Sequence, residues 1–134
     1  MGMTSQENGR LGERIALEFL KKKGYWVHDT GRNSAGSQPV DLIAIKKGSV
    51  WLLDAKFVRR EDPSFRFTDV QPNQITTMRY AKEFAGIENL GFFIVFDRDR
   101  ENPRFMSYGE YIVLSSISKS VRMSELKFAE EEIG

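Results

Sequence analysis

Pro39-Val40-Asp41-Leu42-Ile43-Ala44-Ile45, a Lys46-Lys47-Gly48-Ser49 turn, and Val50-Trp51-Leu52-Leu53-Asp54-Ala55-Lys56-Phe57 form the stretch on which the reading of this chain depends. The two apolar runs are rich in branched and aromatic residues and are split by a Gly-Ser turn, which predicts a β-hairpin. Side chains alternate along a strand, so Asp54 and Lys56 share one face and Ala55 takes the other. Asp41 opens the first run and Asp54 lies near the end of the second. Antiparallel pairing sets those two ends side by side. Two carboxylates and one ammonium therefore meet among apolar residues. Desolvating an ion costs roughly several kcal/mol, and adjacent carboxylates repel each other. One lysine neutralises one aspartate, not both. A divalent cation would balance the remainder, and hard cations such as magnesium favour carboxylate oxygens. The hairpin alone also fits an ordinary Asp54–Lys56 ion pair with Asp41 at the surface.

The composition narrows the chemistry. A chain of 134 residues, 40% hydrophobic and 29% charged, is the size and balance of one soluble domain. No apolar run approaches the roughly 20 residues of a membrane helix, and Met1–Arg10 is polar, so no membrane association is expected. Zero cysteines exclude disulfides, zinc ribbons and thiol catalysis, and fit a cytoplasmic location. His28 is the only histidine, which excludes histidine metal sites and histidine triads. Hydrolytic chemistry here must run on carboxylates and lysine. The net charge of +1 gives no global attraction to nucleic acid. Local basic clusters, Lys46-Lys47 and Lys56, Arg59, Arg60 and Arg66, suit an enzyme that binds phosphates beside an acidic pocket, although scattered solvated charge looks the same in sequence.

In chain order, residues 1–8 read as a disordered leader. From Gly9 to Lys23, Leu11, Ile15 and Phe19 recur at helical spacing, with Ala16 and Leu20 widening the stripe and Gly24 stopping it. Glu13 lies at the margin of that stripe, either reaching inward or exposed near the helix start. Tyr25–Thr30 reads as a first strand, and 31–38 as a polar loop leading to Asp41. Val58–Asp69 is expected to be largely irregular. A second helix starts near Pro72 and presents Gln74, Met78, Ala81 and Ala85 on one face, which puts a polar amide at the head of an apolar stripe. Leu90–Phe96 is a strand apolar on both faces. Phe105–Ser107 suggests a short strand, Tyr108–Ser116 is ambiguous, and Ser124–Glu132 suggests a terminal helix.

The Pro-Val-Asp motif at Asp41, the twelve residues that follow it and Asp54-Ala55-Lys56 resemble the signature of the PD-(D/E)XK nuclease superfamily. A preceding helix glutamate and a following helix-face glutamine strengthen the likeness. Within the superfamily the chain resembles RecU-type Holliday junction resolvases, also called penicillin-binding-protein-related factor A. Ser37 before Asp41, the acid-Ala-Lys triplet, Gln74 with Asn73 in place of a histidine, and Lys119-Ser120-Val121 carry that comparison. The stalk of that family is missing, and only residues 31–38 stand in its place.

The resemblance implies an α/β, restriction-endonuclease-like core. It has a mixed central sheet flanked by helices in the order α-β-β-β-α-β plus a small C-terminal addition. It implies a single nuclease domain over residues 9–134 with catalytic residues Glu13, Asp41, Asp54, Lys56 and Gln74. Magnesium, with manganese substituting, would be held by Asp41, Asp54, the Ala55 carbonyl and Glu13, while Lys56 orients water and Gln74 holds Lys56 or the water in place. The implied activity is magnesium-dependent endonuclease cleavage of DNA, including branched or four-way DNA, by a homodimer in recombination or repair. Candidate DNA contacts are Arg32, Asn33, Ser37, Lys46, Lys47, Arg59 and Arg60. Phe65, Phe67 and Tyr111 are candidate dimer-interface aromatics. A restriction-like or phage DNA-processing nuclease, and a non-catalytic nucleic-acid-binding module, remain open alternatives.

Overall fold

The computed structural model describes residues 4–30 and 40–134. Helix α1 spans Ser5–Lys22 and starts a turn earlier than the apolar stripe suggests. The signal for that start is a capping box. The Thr4 hydroxyl accepts the Glu7 N–H at 3.1 Å, and the Glu7 carboxylate accepts the Thr4 N–H at 3.3 Å. Thr4 to Asn8 thus belong to the folded domain rather than to a disordered leader. The buried face is centred on Gly12, Ala16 and Leu20, with Leu11, Ile15 and Phe19 half-buried beside it. Gly24, at φ +89°, turns the chain out of the helix.

Strands β1 (Trp26–Asp29), β2 (Leu42–Lys46) and β3 (Ser49–Val58) follow as an antiparallel meander. A parallel neighbour for β3 requires a crossover, supplied by β4 (Ser64–Arg66) and helix α2 (Pro72–Glu83). Strand β5 (Asn89–Phe96) then pairs with β3. Strand β6 (Arg104–Ser107), helix α3 (Tyr108–Ile117), strands β7 (Ser120–Arg122) and β8 (Lys127–Phe128) and helix α4 (Ala129–Glu132) complete the chain. The main sheet has six strands in the order β1-β2-β3-β5-β6-β8, while β4 and β7 form a separate two-stranded sheet. Gly91 permits the close β5–β6 approach, since a Cβ there would lie 2.5 Å from the Met106 carbonyl oxygen.

Alternation along β5 divides the core into two clusters, one on each face of the sheet. Phe92, Ile94 and Phe96 join Met78, Phe65, Phe67 and Val121 beneath α2 and α3. Phe93 and Val95 join Ala16, Leu20, Ala129 and Ile133 beneath α1 and α4. The expected element order stands, with three differences. Val58–Asp69 contains β4, whose partner β7 comes from the far end of the chain and leaves no local signal. Ser124–Glu132 divides into β8 and α4, because Lys127–Phe128 pair with the edge of β6. Helix α2 stops at Glu83, leaving Ala85 exposed.

Phe65 and Phe67 are core rather than interface residues, exposed by 1% and 7%. The Phe67 ring meets Phe65 and Tyr111 edge-on at 6.3 and 5.6 Å, so all three aromatics are spent inside the fold.

Candidate active site

The β2–β3 register pairs Leu42 with Leu53, which sets Asp41 opposite Asp54 at the open end of the hairpin. Asp41 Oδ2 accepts the Ala55 N–H at 2.9 Å, which fixes one carboxylate against the other strand. Asp54 is completely buried. It shares a sheet face with Lys56, and Lys56 Nζ lies 2.9 Å from Asp54 Oδ2. Among the described residues Oδ2 has this ion pair but no well-aligned hydrogen bond. Helix α2 closes the other side. Gln74 Nε2 donates to Asp54 Oδ1 at 2.9 Å, and Gln74 Oε1 accepts from Lys56 Nζ at 3.1 Å and from the Gln71 N–H at 2.9 Å. Lys56 Nζ also donates to the Asp69 carbonyl at 3.0 Å. The ammonium is thereby aimed by three oxygens on three different segments. The amide of Gln74 has one consistent orientation, nitrogen to carboxylate and oxygen to the two donors.

Glu13 approaches from α1. Its neighbour Gly12 makes the approach possible, because a Cβ at Gly12 would already lie 3.3 Å from Phe57 Cβ and 3.4 Å from the Lys56 carbonyl. The helix rests directly on the strand that carries Asp54 and Lys56. Burial, then the Asp41 and Asp29 charges and a hydrogen bond with Asp41, raise the Glu13 pKa from 4.5 to about 7, against a smaller lowering by Arg10. Asp54 is raised well above the usual carboxylate value by burial first and Asp41 second, with Lys56 opposing. These carboxyl groups are short of positive charge, and protons are one way to supply it.

Among the described residues no three acidic or histidine side chains are placed to hold a metal ion together. The donors present still suit magnesium, which keeps several waters and needs only one or two carboxylates. Asp41 and Asp54 provide those, and both carboxyls lie in a cluster where Lys56, 2.9 Å from Asp54 Oδ2, does not balance two acids.

The remaining candidate residues fall into three groups. Lys46 and Lys47 lie at the turn end of the hairpin, five positions from Asp41, or roughly 17 Å along the strand. Lys46 sits over the Tyr25 ring, with its Nζ 5.2 Å from the ring centre. Neither lysine joins the site. Arg59 and Arg60 follow β3. Arg59 lines a cleft of about 510 Å³ that opens beside Ala55 and Lys56, whereas Arg60 borders a separate depression formed by Asp97–Glu101. Arg32, Asn33 and Ser37 lie outside the described residues.

Sequence reasoning missed Gly12, the Asp69 carbonyl, Gln71 and Asn8. The Thr4-x-x-Glu7 capping box would have brought Asn8 onto the helix, which already held Gly12. The Asp69 carbonyl leaves no trace in side-chain chemistry.

The chain matches no protein-family model. It is 29% identical over 89 residues to a UPF0102 protein of a Nitratiruptor species, covering 66% of this chain and 76% of that protein. Its structure is similar to that of Hjc, a Holliday junction resolvase from the archaeal hyperthermophile Archaeoglobus fulgidus, with TM-score 0.62 and 17% sequence identity. The match covers 92% of this chain and 93% of that one. That likeness shows the fold, which is restriction-endonuclease-like, with a mixed central sheet flanked by helices.

Proposed function

We propose that this protein is a magnesium-dependent DNA endonuclease that hydrolyses phosphodiester bonds in recombination or repair in the cytoplasm. The observation that carries the reading is the Asp54–Lys56–Gln74 network set against Asp41 and Glu13. A fully buried carboxylate beside a second carboxylate is unfavourable for folding alone. The arrangement becomes useful where a phosphate and a hydrolytic water must be held together. Asp41, Asp54 and the Ala55 carbonyl would hold magnesium, with manganese substituting and Glu13 contributing directly or through water. When bound, the cation lowers the pKa of a water and offsets charge growing on the phosphate. Lys56, aimed by Gln74 and the Asp69 carbonyl, orients the attacking water and stabilises the transition-state charge. Without the cation, burial and Asp41 raise Glu13 to about 7, so a proton and the cation would compete for it near neutral pH.

The likeness to a Holliday junction resolvase supports branched DNA as the substrate to try first. The test compares cleavage of duplex, flap, single-stranded and four-way DNA with and without magnesium. Cleavage that depends on the metal and is strongest on branched DNA is expected. No cleavage of any of the four would overturn the reading.

Symmetric cutting of two strands calls for two copies of the site, and we propose a homodimer. The candidate contact moves from the buried aromatics to α2 and α3. Tyr80, Phe84, Val113 and Ile117 are exposed by 55%, 76%, 61% and 76%. Sedimentation at micromolar concentration should give a dimer, and Val113→Lys with Ile117→Lys should give a monomer. A wild-type monomer, alone and on DNA, would leave a single-strand nicking enzyme.

A further inference from the structure

The cleft beside Lys56 is larger than the chemistry of one phosphate requires. It begins at Ala55 and Lys56 and runs past Val58 to Arg59, with Asn8 of α1 on one side and Arg66 of β4 on the other. We infer that this cleft seats a backbone phosphate flanking the scissile one, gripped by Arg59 and Arg66 with the Asn8 amide beside it. The inference rests on the phosphodiester-hydrolase reading proposed above.

Position comes first. Arg59 lies three residues beyond Lys56 on the same chain, roughly 10 Å in extended geometry. That distance suits a neighbouring phosphate rather than the reacting one. The cleft is continuous with the site, so a strand held at Lys56 must pass along it or leave the surface. Charge comes second. Asp62 and Asp69 also line the cleft, but Lys56, Arg59 and Arg66 outnumber them.

The two arginines are also available. Arg59 meets Glu61 at 3.4 Å with both side chains about two-thirds exposed, at 66% and 69%. Arg66 meets Asp62 at 3.5 Å and is itself 63% exposed. Both pairs are long and both guanidiniums solvated, so the arginines yield to a better acceptor, while Asp62, only 20% exposed, stays held by the Ser64 N–H. A phosphate is such an acceptor, because two of its oxygens match the planar guanidinium fork.

Asn8 supplies an independent observation. Asn8 lines this cleft, and among the described residues its buried Oδ1 has no hydrogen-bond partner. Buried amide atoms are rarely left so. An amide carries donors as well as an acceptor and exchanges them by a flip. A DNA backbone offers acceptors only, so the Asn8 orientation that serves it is the flipped one, with the NH2 group donating to a phosphate oxygen.

The experiment measures DNA binding in calcium, which separates binding from cleavage, across a salt series. The proteins are wild type, Arg59→Ala with Arg66→Ala, and Lys46→Ala with Lys47→Ala as a charge-matched control. Losing two phosphate contacts should flatten the salt dependence. Between 50 and 200 mM salt the arginine variant should lose about 10-fold less affinity than wild type, while the control should follow wild type. Replacing single phosphates near the cut by neutral methylphosphonates should weaken wild type at one flanking position and leave the arginine variant unchanged there. Asn8→Ala should weaken binding at that same position. An arginine variant with the wild-type salt slope overturns the seat. Equal flattening by the control overturns it too, because the effect would then be general charge. Wild type that binds with the expected slope but cleaves nothing in magnesium leaves the seat standing and removes the hydrolase reading. Wild type that does not bind DNA removes both.

Discussion

The two ends of the β2–β3 hairpin are built from similar residues and behave in opposite ways. At the turn end, Lys46 and Lys47 precede Gly48; Lys47 is exposed, and Lys46 rests half-buried on the Tyr25 ring. At the open end, Lys56 is enclosed by Asp54, Gln74 and the Asp69 carbonyl, and its side chain is only 15% exposed. A lysine held by three oxygens has lost its rotamer freedom, so its charge sits at one place before any substrate arrives. Preorganisation of that kind distinguishes a group that can stabilise a transition state from one that only adds to the surface field. The acids differ likewise. Asp54 is buried beside a like charge, while Glu61 is a solvated partner of Arg59.

The largest effect expected from this contrast lies at the carboxylates of the open end. Asp54→Asn and Asp41→Asn keep the shape and remove one charge each. Cleavage in magnesium should fall on the order of 1000-fold or more, with the far-ultraviolet circular dichroism spectrum unchanged. Wild-type cleavage by Asp54→Asn would make the open end an ordinary buried ion pair.

Lys56→Ala comes next. It removes a cation but none of the proposed metal ligands, so cleavage should fall about 100-fold while magnesium affinity holds or rises. Calorimetric titration separates the two quantities. Affinity lost together with rate would make Lys56 a structural counter-ion for Asp54 instead.

These expectations come from residues whose roles were largely legible without coordinates, and the reason is local. Hairpin register follows from alternation and a short turn, so the meeting of Asp41, Asp54 and Lys56 could be read from spacing alone. Gln74 was legible because a polar residue interrupts an apolar helical stripe, and Glu13 because it lies at the margin of one. What escaped notice depends on contacts between distant segments. β4 needs β7 as its partner, and Phe67 N–H bonds to the Lys119 carbonyl, so neither could be seen from residues 58–69. Tyr108–Ile117 escaped because β-branched residues and an exposed apolar face blur its helical period. Lys46 and Lys47 are close to Asp41 and Asp54 in sequence but not in space. The hairpin places them at its opposite end.

The pH dependence of stability compares the ends by a different measure. Glu13 titrates near 7 in the folded protein and near 4.5 when unperturbed, so between those values the folded state holds the extra proton. Its contribution to stability is complete below about 4.5 and is lost as pH rises through about 7. Asp54 shifts in the same direction. The metal-free protein should therefore melt a few degrees lower at pH 7.5 than at pH 5.5, and Glu13→Gln should flatten the slope. Magnesium should restore stability mainly at the higher pH, where the carboxylates are ionised and open to it. A melting temperature that rises across this range without metal would show that the carboxyl cluster carries no such strain.

The smallest effect belongs to the turn end, and its smallness is informative. Lys46→Ala with Lys47→Ala removes two positive charges from a chain whose net charge is +1, a large change in the overall field. If long-range attraction governed DNA encounter, cleavage at low salt should drop markedly. The position of the two lysines argues otherwise, since they lie roughly 17 Å along the strands from Asp41 and Asp54, beyond a Debye length of about 8 Å at physiological ionic strength. Cleavage near 0.15 M salt should therefore stay within about twofold of wild type. At 0.01 M salt the Debye length grows to about 30 Å, and a modest loss should appear. That pattern would mean the turn end contributes only to the diffuse field, while grip and chemistry belong to the open end. A strong loss at physiological salt would instead place DNA along the whole length of the hairpin and extend the binding face to the turn.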